Sequence, residues 1–238
     1  MNTCLIETIS DIAIAITGIL GAGVGLIQYR SVSKNKALEQ ELENLRGFFK
    51  AIEDGNSVYK KTQICYPTNM AIEYEYHYFS IHRQHLLFNI DKNLSVYDNF
   101  YLYIDSVKNY ISTEELTLRQ MIVLYNIFVN NLIRRDLLDQ TFQVLYTCIH
   151  DITKSKLSFN KKDHIERVQN SITSRQAVLY FFNQLQYADR QRIRNKYLKT
   201  LYKHRFFSKM FNSQDYRNIQ DLIPLSVEKL FYKLENGR

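Results

Sequence analysis

The sequence predicts an all-α protein, with one N-terminal transmembrane helix followed by a cytoplasmic helical bundle. The 238 residues include only 7 Gly and 2 Pro, too few for the many turns of a β protein. Apolar residues recur at spacings of three and four in most segments after residue 30, as they do in helices. The stretch 12–29 has no charged residue and would be about 27 Å long as a helix, close to the thickness of a bilayer's hydrocarbon core.

Charges on either side of this stretch predict its orientation. Acidic residues precede it and basic residues follow it, namely Glu7 and Asp11 before it and Arg30, Lys34 and Lys36 after it. Because basic residues favour the cytoplasmic side, residues 1–11 are predicted to form a short extracytoplasmic tail. The alternative is a buried, glycine-rich core helix of a soluble protein. No basic region precedes the apolar stretch, so it does not have the pattern of a secretory signal peptide.

Small residues recur at every fourth position of the predicted span. They are Ala13, Thr17, Gly21 and Gly25. Such a stripe lets two membrane helices approach closely. It therefore predicts membrane helix packing and a homo-oligomer.

Residues 30–57 are predicted to form a juxtamembrane helix or stalk. Its apolar residues are spaced by four and three, and they are Leu38, Leu42, Leu45, Phe49 and Ile52. This two-heptad pattern has two interpretations: a coiled-coil stalk that favours a dimer, or one amphipathic helix packing on its own domain.

Residues 58–238 are predicted to form a cytoplasmic helical domain. A helix is expected over residues 69–90 and another over Phe100–Ile111. Ser112 and Glu115 have capping-box spacing for a helix Glu114–Ile133, which is apolar almost all round and is expected at the centre of the domain. Another apolar stripe, from Leu138 to Ile152, predicts a further helix that forms an antiparallel hairpin with it.

The C-terminal part of the chain is basic. The formal net charge is +7, and residues 151–238 contain 18 Lys and Arg against 8 Asp and Glu. Residues 190–209 are predicted to form one basic amphipathic helix. Its basic residues are Arg190, Arg192, Arg194, Lys196, Lys199, Lys203, Arg205 and Lys209. Three interpretations remain open: contact with the anionic inner leaflet, contact with nucleic-acid phosphates, or a solvated face over an ordinary core.

Few residues suggest chemistry. Glu75, His82 and His85 would share a helix face and are candidates for a metal site, but no zinc or di-iron spacing is matched, and we expect ordinary histidines. The sequence has no phosphate-binding lysine loop, nucleophile elbow or dinucleotide fingerprint. We therefore expect no cofactor, no metal and no catalytic residues, and the sequence leans against an enzyme.

Three features in order resemble a known family. An N-terminal apolar span is followed by a short charged helix. An aromatic-rich segment, Tyr76–Asp91, ends in Ile-Asp, and a Leu-rich helix runs from Glu115-Leu116 to Tyr125-Asn126. Over roughly residues 10–130 the chain resembles the phage abortive infection proteins of the AbiC-like group. The resemblance implies a helical protein anchored in a bacterial inner membrane and a role in phage defence.

These expectations combine into one functional hypothesis with two alternatives. The first is a sensor or interaction module of phage defence at the inner membrane face, with membrane lipid and a phage or host protein as partners. The second is a nucleic-acid-binding effector that uses residues 190–209, although nucleic acid is not the favoured partner. The third is a structural membrane scaffold.

Overall fold

The computed structural model describes residues 3–53, 59–61, 63–65, 87–108, 116–154, 161–188, 198 and 200–229, with side chains from residue 28 onward except at positions 65, 87 and 188. The described chain is mostly helical, which confirms the all-α prediction. Its helices are α1 (Thr3–Glu53), α2 (Val96–Val107), α3 (Leu118–Asn130), α4 (Arg135–Lys154), α5 (Lys161–Asn170), α6 (Ser174–Ala188), α7 (Ser208–Phe211), α8 (Gln214–Ile219) and α9 (Leu225–Glu228). A 3-10 turn, Gln220–Leu222, joins α8 to α9.

Helix α6 occupies the centre of the body. It packs against α2, α3, α7 and α8, and all ten residues from 176 to 185 are buried. Three consecutive aromatic residues of α6 meet rings of three other segments, because Tyr180 contacts Phe142, Phe181 contacts Phe207 and Phe182 contacts Phe100. Successive side chains of a helix point in different directions, so this run needs partners on every side.

The sequence predicts the helix Glu114–Ile133 as the centre, and that prediction is wrong. In the structure α3 begins at Leu118 and ends at Asn130, and it buries one face. Beyond its end, Ile133 is 55% exposed. Helix α3 therefore buries one face against α6 and leaves its other face partly exposed.

The apolar residues of α1 pack on the same chain. Leu38, Leu42, Leu45, Phe49 and Ile52 are all buried, and α1 packs mainly against α4. Cys148 of α4 donates its thiol hydrogen to Glu41 at 3.3 Å, and Tyr97 of α2 donates to the Phe49 carbonyl at 3.3 Å. Of the two interpretations of this pattern, the structure has the amphipathic helix on its own domain. Helix α4 therefore packs on α1 and α5, not in a hairpin with α3.

Side-chain caps begin four of the described helices, with Ser95 at α2 and Ser213 at α8, and the caps of α3 and α6 are reciprocal pairs. Thr117 caps α3, because its hydroxyl accepts from the Gln120 amide at 3.2 Å and the Gln120 side chain accepts from the Thr117 amide at 2.7 Å. Thr173 and Gln176 make the same reciprocal pair at the start of α6. The predicted cap at Ser112 and Glu115 lies outside the described residues. The same capping-box chemistry thus starts α3 a few residues later than predicted.

A two-stranded antiparallel sheet replaces the end of one predicted helix. Strand β1 (Gln63–Cys65) pairs with β2 (Leu87–Asn89), so residues 87–89 are extended, not helical as the prediction 69–90 required. Phe88 meets the Tyr103 ring edge-on at 5.5 Å, and Ile64 and Ile90 are buried. Pairing with β1 and this aromatic contact outweigh the local helical pattern. Residues 69–86 lie outside the described residues.

The backbone of α1 is helical through the whole predicted span 12–29 and continues without a break to Glu53. The side chains of residues 12–27, including Ala13, Thr17, Gly21 and Gly25, lie outside the described part. Among the residues that the structure describes, no helix combines the length and apolarity needed to cross a bilayer.

The fold predicts opposite effects for two neighbouring substitutions in α1. Leu45 is fully buried, so Leu45→Ala should lower the free energy of unfolding by about 2–5 kcal/mol. Gly47 is exposed, and a Cβ there would meet nothing within 4 Å. Gly47→Ala should therefore raise it by about 0.5–1 kcal/mol through helix propensity. Denaturant unfolding followed by circular dichroism measures both. An equal effect of the two substitutions would contradict the packing of α1 on the body.

Candidate functional site

The structure describes only the end of the predicted basic helix. Lys203, Arg205 and Lys209 are exposed. The other predicted basic residues lie outside the described residues. They are Arg190, Arg192, Arg194, Lys196 and Lys199. On the opposite side, Leu198, Leu201 and Phe206 are buried. In its described part the segment therefore has a basic exposed face and an apolar face that belongs to the core.

This helix ends at Lys203 and does not continue to residue 209 as predicted. The Phe206 amide donates to the Leu201 carbonyl at 3.0 Å, and the Arg205 amide donates to the Tyr202 carbonyl at 3.1 Å. This hydrogen-bond pair defines a Schellman C-cap, with Arg205 at the position that glycine usually occupies. Arg205 has φ = 50°, a left-handed conformation that costs an L-residue about 1–2 kcal/mol.

Two interactions explain why the helix stops there. Phe206 and Phe207 are both buried, and their rings pack edge-on against Tyr180 and Phe181 of α6. The Gln169 side chain donates to the carbonyls of residues 205 and 206, at 3.0 and 2.7 Å. A continued helix could not bury both rings, so the chain turns and presents Lys203 and Arg205 to solvent.

The turn lies in a positive environment. His204 is half-buried, and its pKa is lowered first by burial and then by the charges of Lys203 and Lys161. Lys161 begins α5 and donates to the Thr153 carbonyl at 2.7 Å. Together with Arg205, these lysines bring basic groups from two elements to one turn, where an anion would be favoured over a cation.

A second candidate is a polar cleft between α4 and α6, which the sequence did not reveal. Its volume is about 500 Å³, a size common among small-molecule sites. Amide side chains dominate its lining, together with two tyrosines, one phenylalanine, one arginine and one aspartate. These residues are Arg135, Asp139, Gln140, Phe142, Gln143, Tyr146, Asn183, Gln184, Gln186 and Tyr187.

The floor of the cleft is an ordered amide network. Asn183 donates to the Tyr125 hydroxyl at 2.7 Å, and Gln184 donates to the Asn183 side-chain oxygen at 3.0 Å. At the rim Arg135 lies 3.7 Å from Asp139, whose pKa is raised chiefly by burial. Among the described residues lining the cleft there is no His, Cys or Ser. The cleft is therefore suited to hold a neutral polar ligand.

Two further titratable groups have structural roles. Arg175 bonds Asp98 at 2.6 Å and Asp215 at 3.2 Å, and its guanidinium lies 4.7 Å from the centroid of the Tyr101 ring. This network ties α6 to α2 and α8. Burial, followed by the bond to Glu41, raises the pKa of Cys148 to about 12, so its thiol is a poor nucleophile at neutral pH.

The metal prediction concerns residues that lie outside the described part, namely Glu75, His82 and His85. Among the residues that the structure does describe, no three His, Cys, Asp or Glu side chains are grouped to hold a metal ion.

Comparison of the chain with family models, with curated proteins and with solved structures finds no match. The resemblance to the AbiC-like group therefore stays a prediction from the sequence motifs.

The left-handed conformation of Arg205 predicts a stabilising substitution. The unfolding free energy of Arg205→Gly should be about 0.5–1 kcal/mol higher than that of Arg205→Ala. Both variants remove the guanidinium, and only glycine adopts the left-handed conformation without strain. Thermal unfolding of the two variants measures the difference. Equal stabilities would mean that the turn is not left-handed at this residue.

The Arg175 network predicts a pH-dependent contribution to stability. Burial alone would raise the pKa of Asp98, but the hydrogen bonds from Ser95 and Arg175 outweigh it and lower the pKa. The stabilisation is thus complete above the unfolded pKa of about 4 and disappears as pH falls through the folded value. Because the pair is partly exposed to solvent, Asp98→Asn should cost about 1 kcal/mol at pH 7 and progressively less below pH 4, by denaturant unfolding.

Asp105 in the same helix provides the matched control. It lies 3.9 Å from Lys108 and its side chain is 43% exposed. Asp105→Asn should change the unfolding free energy by less than about 0.5 kcal/mol at either pH. A similar pH profile for both variants would show that Asp98 has no special pairing.

Proposed function

We propose that the chain is a membrane-tethered module of bacterial phage defence. Its N-terminal helix spans the inner membrane over residues 12–29, with residues 1–11 outside, and its body senses an infection signal or a phage component at the cytoplasmic face. One observation supports this most: α1 runs unbroken from the apolar stretch into the core of the body.

The exposure of α1 between the two ends supports a tether. All residues from 28 to 37 are exposed, and burial begins at Leu38. This exposed length is about 15 Å, enough to cross one headgroup layer of roughly 5–8 Å. Tyr29 is 72% exposed at the start of this length, where aromatic side chains favour the membrane interface. The end of the apolar stretch nearest the body is thus far enough from it for one headgroup layer to lie between them.

The chemistry of the body favours binding over catalysis. The polar cleft offers amides and hydroxyls on a fixed floor, which suits recognition of a small neutral signal molecule. The exposed basic turn provides a second surface, which favours the binding of anions. The resemblance to abortive infection proteins supplies the defence context, in which a membrane-held sensor would act on a phage or host protein.

Nucleic-acid binding is the second candidate function. Exposure of Lys203, Arg205 and Lys209 favours it, because phosphate backbones bind such basic faces. In that case α1 would hold the effector at the membrane and the same basic face would contact RNA or DNA.

The tether is tested by charge insertion into the predicted span. Leu20→Arg combined with Val24→Arg should release the protein from carbonate-washed membranes, because each Arg at the centre of a span costs roughly 2.5–3.5 kcal/mol. Val32→Arg is the control, because Val32 is exposed on α1 beyond the span. Equal membrane fractions for both proteins would argue against the tether.

Phage challenge of cells carrying these variants tests the role. Wild type and Val32→Arg should reduce phage plating, and the double variant should not. Unchanged plating with the wild-type gene present would reject defence and leave the scaffold alternative.

A further inference from the structure

Exposed basic residues surround the point where α1 leaves the body. We call this surface the basic end. It comprises Lys34, Lys36, Lys154, Lys162, Lys203 and Arg205, all of them exposed. They come from α1, α4, α5 and residues 203–205, so folding brings together charges that are far apart in the sequence.

Side-chain contacts place these elements together. Arg167 of α5 bonds Glu39 at 2.9 Å, and Glu39 lies at the first buried turn of α1. Lys161 at the start of α5 bonds the carbonyl of Thr153 in the last turn of α4. Gln169 near the end of α5 holds the turn that presents Arg205. Helix α5 therefore contacts α1, α4 and the turn, and these contacts place the basic residues of all three near the point where α1 leaves the body.

Acidic residues at this end are fewer than basic ones. Two of them pair with basic residues, because Glu39 lies 2.9 Å from Arg167 and Glu166 lies 3.9 Å from Lys162. Basic residues also lie at the opposite end of α4. Lys60 and Lys61 bond Asn130 and Asn131 there, beside Arg134 and Arg135, and Asp136 and Asp139 accompany them. The basic end differs from that group by its position at the exit of α1.

We propose that the basic end is a docking surface for the anionic lipid headgroups of the membrane that holds α1. This inference rests on the tether proposed above. Burial of α1 begins about 13 Å beyond the predicted span, so a modest tilt of α1 brings the basic end to the headgroups. Each basic residue near an anionic surface shifts such an equilibrium roughly fivefold. Docking then fixes the orientation of the body and leaves the polar cleft turned away from the lipid.

The strained turn supports a binding role for Arg205. Glycine fits a left-handed C-cap without strain, so an arginine there costs folding energy that glycine would not. In return the turn holds a guanidinium at the exposed surface, where it can bind a phosphate through two parallel hydrogen bonds. A positive charge held in place by a rigid turn suits contact with an anionic surface.

A tryptophan reporter in the full-length chain tests the docking. The chain has no Trp, so a single introduced Trp is the only energy donor of its kind. Asn170→Trp places it on the exposed last residue of α5, beside the turn that presents Arg205. Ile133→Trp places the control beyond the opposite end of α4, about 30 Å from Lys154. The proteins are reconstituted into vesicles carrying a dansyl lipid as energy acceptor.

Docking predicts transfer that depends on lipid charge and on position. Transfer in the Asn170→Trp protein should be higher in vesicles with phosphatidylglycerol than in pure phosphatidylcholine, and it should fall in about 1 M salt, where the Debye length is about 3 Å. Transfer in the Ile133→Trp protein should not rise. Adding Lys162→Gln with Lys203→Gln should lower the docked-to-undocked ratio roughly 10–30-fold, whereas Lys61→Gln with Arg134→Gln should not change it.

The turn variants separate binding from folding. Arg205→Gly and Arg205→Ala should weaken docking equally, roughly fivefold, although they differ in stability. Docking that follows stability instead of charge would overturn the proposal, as would transfer independent of lipid charge. The double variant Lys162→Gln with Lys203→Gln could instead weaken RNA binding in a gel-retardation assay and leave energy transfer to the dansyl lipid unchanged. That result would overturn the proposal in favour of nucleic acid.

Failure of the tether gives a different result. Flotation with pure phosphatidylcholine vesicles at high salt depends on the span alone. A protein that floats but shows no charge-dependent transfer keeps the tether and loses the docking surface. A protein that does not float loses the tether, and with it the membrane role.

Discussion

The burial of α6 on all sides is the constraint on which the rest of the body depends. A helix enclosed in this way must satisfy its polar side chains internally, because an unmade buried hydrogen bond costs about 1–3 kcal/mol. Gln176 does so at the N-cap with Thr173, and Asn183 does so with Tyr125 of α3. These bonds fix the rotation of α6, and that rotation determines which aromatic residues meet α2, α3 and the turn at 204–207.

Helix α1 combines two roles that normally belong to separate elements. Its second half is an ordinary core helix, with five apolar residues buried mainly against α4. Before that half, the same helix continues through residues 28–37, all of which are exposed. Because the helix is unbroken, the orientation of the body is coupled to the axis of the N-terminal segment. Charges around the exit of α1 can therefore act on the orientation of the whole body.

Sequence periodicity predicted the helices that bury one face. It missed the features that depend on contacts between distant parts of the chain. The apolar stripes of α1 and α4 were found because burial on one face leaves a repeat of three and four. The extended conformation of residues 87–89 depends on a partner at residues 63–65, which a local pattern does not contain. The central position of α6 could not be read from periodicity, since a helix buried on all sides has no polar face. The polar cleft joins residues about 45 positions apart, so no motif marks it.

The end of the basic helix shows how burial and charge are divided within one segment. Phe206 and Phe207 are drawn into the core beside α6, and this forces a left-handed residue immediately before them. Folding alone would favour glycine at that position. Arginine there accepts the backbone strain and adds a positive charge next to His204, whose pKa is already lowered by burial and then by the charges of Lys203 and Lys161. The same turn that closes the core thus raises the positive potential at the exit of α1, and an anionic surface at that exit would be met with the smallest movement of the body.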